Sequence, residues 1–263
     1  MLLQTPNLTR YALGVRCYPP LFLCLLLTGL GVARAATNTA KFNLAVDQAN
    51  KAIQAGKFTD AEKQINLAGK LQPNAAEIPN LRGVLLVRER RYDEAVEKYN
   101  QALAIDPRFY PAKFNLAELA LLRGNVPEAL QRYRELENVD RSSEVVQFKI
   151  AICYLLLSDE TNAKSVTDII PFPGKTPAYY YARAAAWFRK GNWPQVDHYV
   201  ATAHQYYPDG WCVYFESSLR ELGLDLTKRN PAAFPSRTPS PAASSPSPIP
   251  PAPTPPPAPT PAS

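Results

Sequence analysis

Ala76 to Phe109 reads AEIPNLRGVLLVRERRYDEAVEKYNQALAIDPRF, and its two halves decide the fold. In the first half Ile78, Leu81, Leu85 and Leu86 recur at three- and four-residue spacing, the period of an amphipathic helix. The second half, Tyr92 to Ile105, puts Ala95, Tyr99, Ala102 and Leu103 on one side of another helix. Asp106-Pro107 ends it, because proline offers no amide hydrogen and pushes the residue before it out of helical geometry.

The same unit recurs outward from this stretch at a fixed step. Ala61, Ala95, Ala129 and Ala163 are each 34 residues apart. Gly56 and Gly124 precede two of those alanines in the turn between helices. Phe58, Tyr92 and Val126 stand three residues before, Ala68 and Ala102 seven after, and Pro73 and Pro107 close the first two units. A small residue at a helix crossing lets two backbones approach, and a ring beside it fills the remaining space. Repeated at constant period, that arrangement stacks hairpins into a solenoid.

The unit resembles the tetratricopeptide repeat. Its pattern of small residue, aromatic, alanine, aromatic, alanine and proline is met by Gly83, Tyr92, Ala95, Tyr99, Ala102 and Pro107, although Pro79 stands where the family often has tryptophan. The third unit keeps Leu116, Ala117, Gly124, Ala129 and Tyr133 but has Arg141 in place of the closing proline. The fourth keeps Ala151, Tyr154 and Ala163, then degenerates through SVTDIIPFPGKTP; the fifth has Ala184, Trp187, Gly191, Trp193, Ala203 and Pro208. The resemblance implies an all-α, right-handed solenoid over residues 36–225, with units at about 42–75, 76–109, 110–143, 144–176 and 177–210. Residues 211–225, with Trp211, Tyr214 or Phe215, Leu219 and Leu222 near one face and Gly223 as a stop, fit a capping helix over the last unit.

Both ends differ from this middle. Arg10 and Arg16 precede the apolar run from Leu21 to Leu27, which continues to Val32; Ala33-Arg34-Ala35 follows. That order predicts a signal peptide over residues 1–35 and export to the periplasm or the exterior. The run falls short of the roughly 20 apolar residues of a membrane-spanning helix, so no stable membrane insertion is expected after cleavage. From Pro231 the chain reads PAAFPSRTPSPAASSPSPIPPAPTPPPAPTPAS. With almost nothing apolar to bury, residues 226–263 are expected to be a disordered, partly polyproline II tail. Such a tail serves as a spacer or, in an alternative reading, as a means of cell-wall contact by an accessory module.

Charge and chemistry-bearing residues exclude several classes. The net charge of +6 comes from the ends: Arg10, Arg16 and Arg34 give +3, and Lys228, Arg229 and Arg237 give +3, with no acid in either segment. The middle then carries 23 basic and 23 acidic residues, without the basic stripe of a nucleic-acid binder. His198 and His204 are six residues apart, hence on different helix faces and unable to pair as metal ligands. No phosphate-binding loop or nucleophile elbow occurs. No cofactor, metal or catalytic residue is expected, and the chain reads as a non-enzyme. Cys153 and Cys212 lie on elements a solenoid keeps apart, so they are expected as small buried hydrophobes rather than a disulfide.

What remains is binding of a protein or peptide. The resemblance implies that first helices line a concave groove, with its floor at Asn50, Asn80, Val84, Glu118, Ile152 and Phe188. Asn115 and Lys149 lie beside that floor, and Phe114, Phe148 and Tyr181 form an aromatic ladder along three units. A phase shift of one position would turn those rings into core between helices. Chaperone-binding members of the family clamp a terminal carboxylate with lysine, arginine and asparagine. Here Asn115 and Lys149 match two such positions, while Asn80, Val84 and Val145 occupy the others, so most of the cationic clamp is missing.

Overall fold

A computed structural model describes the backbone of residues 21–228 and the side chains of residues 37–228. Most of the expected signal peptide and the tail from residue 229 lie outside the described residues, as do the side chains around the expected cleavage site. Every element among the described residues is helical: α1 Leu21–Gln54, α2 Phe58–Leu71, α3 Glu77–Arg88, α4 Tyr92–Ile105, α5 Tyr110–Leu122, α6 Val126–Val139, α7 Glu144–Leu156, α8 Glu160–Ile169, α9 Ala178–Arg189, α10 Trp193–Tyr206 and α11 Asp209–Glu221. Helices α1–α2, α3–α4, α5–α6, α7–α8 and α9–α10 pack as hairpins, and each hairpin packs on the next. No helix among the described residues is long and apolar enough to cross a membrane.

The second helices explain the repeat. Each buries a narrow stripe: Ala61, Ile65 and Ala68 on α2; Ala95, Tyr99 and Ala102 on α4; Ala129, Tyr133 and Leu136 on α6. The rest of each helix faces solvent, the pattern of an outer layer. The small-against-large crossing is direct: a Cβ built on Gly83 would lie 2.5 Å from Cε1 of the fully buried Tyr99 ring. The turns repeat too. Gly56, Arg90, Gly124, Ser158 and Gly191 all have positive φ, between 62° and 83°, at the step from first to second helix. The fold therefore needs a left-handed residue there, whatever the sequence supplies.

Two elements depart from the regular pattern. Helix α1 begins at Leu21, well ahead of its hairpin, which starts where Phe42, Ala45, Ala49 and Ile53 become buried. Helix α8 has 10 residues where the other second helices have 14. It stops at Ile170, which turns extended before Pro171. The following loop is held by the buried Glu144 carboxylate, which accepts from Lys175 N at 2.7 Å, Thr176 N at 2.8 Å and Thr176 Oγ1 at 2.6 Å. Gly174 permits this, since a Cβ there would sit 2.6 Å from Glu144 Oε2.

Arg90 carries the turn's left-handed conformation with a side chain, at φ 63°. That conformation costs an L-residue about 1 kcal/mol. Arg90→Gly is expected to raise the unfolding free energy by a comparable amount in a urea titration, with the same slope.

Candidate functional site

The inner face is built by the first helices, and its C-terminal half is occupied. After Tyr207-Pro208 the chain turns back, and α11 lies over α7 and α9. It does more than close the last hairpin, because its side chains reach units three and four, beyond the nearest-neighbour contacts expected of a cap. The Phe215 ring meets Phe148 edge-on at 4.8 Å and stacks on Tyr181 at 5.5 Å. Phe215, Leu219, Leu222 and Leu224 are buried with it. At about 1.5 Å per residue, 13 residues extend about 20 Å, enough to cross two or three hairpins.

A polar network runs beneath this helix. Lys149, 1% exposed, donates from Nζ to Glu118 Oε2 and to Ser218 Oγ, both at 2.7 Å. Glu118 also accepts from the Tyr133 hydroxyl. The ammonium lies 5.8 Å from the Tyr214 ring centre. Enclosure, with Glu118, Glu221 and Tyr110 nearby, raises the Tyr214 phenol well above its ordinary value. At the last turn of α11 the Glu221 carboxylate supports the charge of Arg88 on α3, whose pKa burial lowers. At the first turns, Glu216 Oε1 accepts from the Tyr181 hydroxyl at 2.8 Å and pairs with His204 Nε2 at 2.8 Å. His204 Nδ1 stands 3.1 Å from Asp209 Oδ1. The hydrogen bond to Glu216, then that to Asp209, raises the His204 pKa above its ordinary 6.5.

The expected groove residues fall into three groups. Phe148, Lys149 and Tyr181 lie under α11. Phe114 and Phe188 turn toward their hairpin partners, Phe114 edge-on to Tyr133 at 5.9 Å and Phe188 edge-on to Trp193 at 5.3 Å; Ile152 is fully buried. The aromatic ladder is therefore not open: its rings are covered by α11 or drawn into the hairpins, since each ring loses more water-exposed area there than on an open floor. The third group keeps to the N-terminal half. Asn115 Nδ2 donates to Asn80 Oδ1 at 2.9 Å, tying α3 to α5, and Val84 stands one turn on from Asn80. Asn50 and Val46 on α1 are half-buried, and Glu118 closes this end against Lys149.

Sequence reasoning missed α11 as an occupant and Glu144 as a loop anchor. One signal for α11 was readable: residues 145–153 of α7 offer no solvated face, and a helix apolar all round requires cover all round. Cys153 and Cys212 are both buried and unbridged, as expected, and burial pushes the Cys153 thiol up to about 12. Outside the inner face, a cavity of about 450 Å³ lies between α8 and α9. Its bases are matched to acids: Lys164 and Arg183 to Asp168, Lys190 to Glu160. No group of three or more metal-ligating side chains occurs among the described residues.

Two family models, both described as tetratricopeptide repeat, match residues 86–152 and 46–109. Over 122 residues, 46% of this chain, it is 29% identical to the small glutamine-rich tetratricopeptide repeat-containing protein 2 of Mycosarcoma maydis. Over 113 residues, 39% of the chain, it is 25% identical to the Hsp70-Hsp90 organizing protein of Triticum aestivum. The matched regions span only 35% and 19% of those relatives. Among solved structures, Pseudomonas aeruginosa PilF superposes with a TM-score of 0.53 at 16% identity, over 72% of this chain and 87% of that one. A tetratricopeptide repeat protein of Thermus thermophilus gives 0.54 at 19%, over 70% and 99%.

Two predictions follow from the network. Lys149→Ala strands the Glu118 carboxylate and is expected to cost about 3 kcal/mol, most of it regained in Glu118→Gln/Lys149→Met, as read by chemical denaturation of each variant. The second concerns pH. A raised His204 pKa contributes stability that is fully present below 6.5 and lost as pH rises through the raised value. Melting temperature should fall over that interval, and His204→Gln should flatten the dependence.

Proposed function

Because the chain belongs to the tetratricopeptide repeat family, we propose that it is an exported, non-enzymatic scaffold that holds a protein partner on the inner face of its hairpins, in the assembly of an envelope complex. One observation carries the binding half of this reading. The inner face accommodates a helix, α11, using buried rings for affinity and Lys149, Tyr181 and His204 for register. A surface that fits one helix of its own chain has the shape and chemistry to fit a helix of another.

Two features shape the reading further. Chaperone-tail capture, suggested by the name of the wheat relative, is disfavoured: Val84 and Val145 are apolar and Lys149 is already engaged by Glu118 and Ser218. Export rests on the basic start, apolar run and Ala33-Arg34-Ala35 of the sequence.

Crosslinking pull-down from the native envelope tests the scaffold. Val46→Glu/Asn50→Arg alters half-buried positions at the open end of the face, Val46 packed on the core edge, and is expected to stay folded with a modestly lowered melting temperature and to lose a specific partner. Retention of every partner by the folded variant would place binding elsewhere. The export prediction has its own readout: mass spectrometry of the purified protein should find a mature chain beginning at Ala36, and deleting residues 1–35 should keep the protein in the compartment where it is made.

A further inference from the structure

We infer that α11 is a resident stand-in for the ligand, and that the partner presents an amphipathic helix of the same pattern, which takes the place of α11 over α7 and α9. The inference rests on the reading of the inner face as a protein-binding surface, and it deepens that reading by naming the occupant.

The face under α11 is preformed. Lys149, Glu118 and Tyr133 satisfy one another before α11 contributes anything, and Ser218 adds only one further acceptor. Departure of α11 therefore leaves Lys149 still paired with Glu118. A helix that served only as core would need apolar contacts alone. Instead α11 is read by polar groups of two successive hairpins: Glu216 by Tyr181 and His204, and Ser218 by Lys149. The acid of α11 that meets the hairpins, Glu216, pairs with His204 and accepts from Tyr181, so the complementary ligand carries an acid at that position. Its anchors follow from the same contacts: an aromatic ring at the Phe215 position, an acid after it, a small hydroxyl three residues on from the ring, and leucine next, the place of Leu219.

α11 is also built to leave. At 13 residues it is at the length where an isolated helix is marginal in water, so it is ordered only while docked. Its outer side carries Trp211 and Val213, 41% and 52% exposed, apolar surface that none of the described residues covers.

The test uses the full chain and a synthetic peptide of residues 208–226 with Cys212→Ser. In Phe215→Ala/Leu219→Ala the resident helix loses its anchors. Hydrogen exchange should show α11 amides unprotected while α7 and α9 keep their protection, and the variant should bind the peptide in trans. An open state near 1% makes the wild-type chain bind the peptide about 100-fold more weakly. A peptide with Phe215→Ala and Glu216→Gln should lose binding at least about tenfold. Intact hairpins with no peptide binding overturn the inference. So does loss of α7 protection in the variant together with wild-type α11 amides that exchange no faster than those of α7, which would make α11 part of the hairpin core. A peptide-competed dimer of the wild-type chain would assign the site to a second copy instead. In each of these cases the Val46/Asn50 pull-down still decides the scaffold reading independently.

Discussion

Helix α7 is buried on every side, and much of the molecule is arranged to meet that condition. Its sequence, EVVQFKIAICYLL, has no run of polar residues to offer water. Helices α6, α8 and α9 cover three sides. The fourth would expose Phe148 and the stem of Lys149, at a cost of about 25 cal/mol for each Å² of apolar surface left wet. Helix α11 supplies that cover, which is why the chain turns back after Pro208 instead of continuing the stack.

The cover is polar as well as apolar, and this sets its register. A buried ammonium is tolerable only if paired and hydrogen-bonded. Lys149 meets that demand with one partner from unit three and one from α11, so the charge joins elements 31 and 69 residues away in sequence. Sliding α11 by one turn would take Ser218 from Lys149 and Glu216 from Tyr181 and His204 at once. The hydrophobic rings hold the helix down, while the polar row fixes where along the face it lies.

The repeat itself was legible because it is local. Ala61, Ala95, Ala129 and Ala163 announce the period, and the structure places three of them in the buried stripes of α2, α4 and α6 and the fourth in that of α8. The positive-φ turns were legible where glycine marked them, at Gly56 and Gly124, and hidden at Arg90 and Ser158, where the fold imposes a conformation the residue does not advertise. Groove and core could not be separated by spacing. Phe114, Phe148 and Tyr181 share a register, yet Phe114 belongs to a hairpin core while the other two lie under α11. The difference is made by a contact between residues 148 and 215, and no periodicity carries information over that separation.

The two halves of the inner face therefore differ in kind. Toward α1 and α3 it is lined by Val46, Asn50, Asn80 and Val84, with Asn115 hydrogen-bonded to Asn80 and no long-range cover from α11. Toward α7 and α9 it is closed by a helix whose charge pairs are satisfied inside the chain. The Glu118–Lys149 pair joins the closed end to the open one. The boundary between the halves is thus held by one buried ammonium, which bonds Glu118 on the open side and Ser218 of the covering helix.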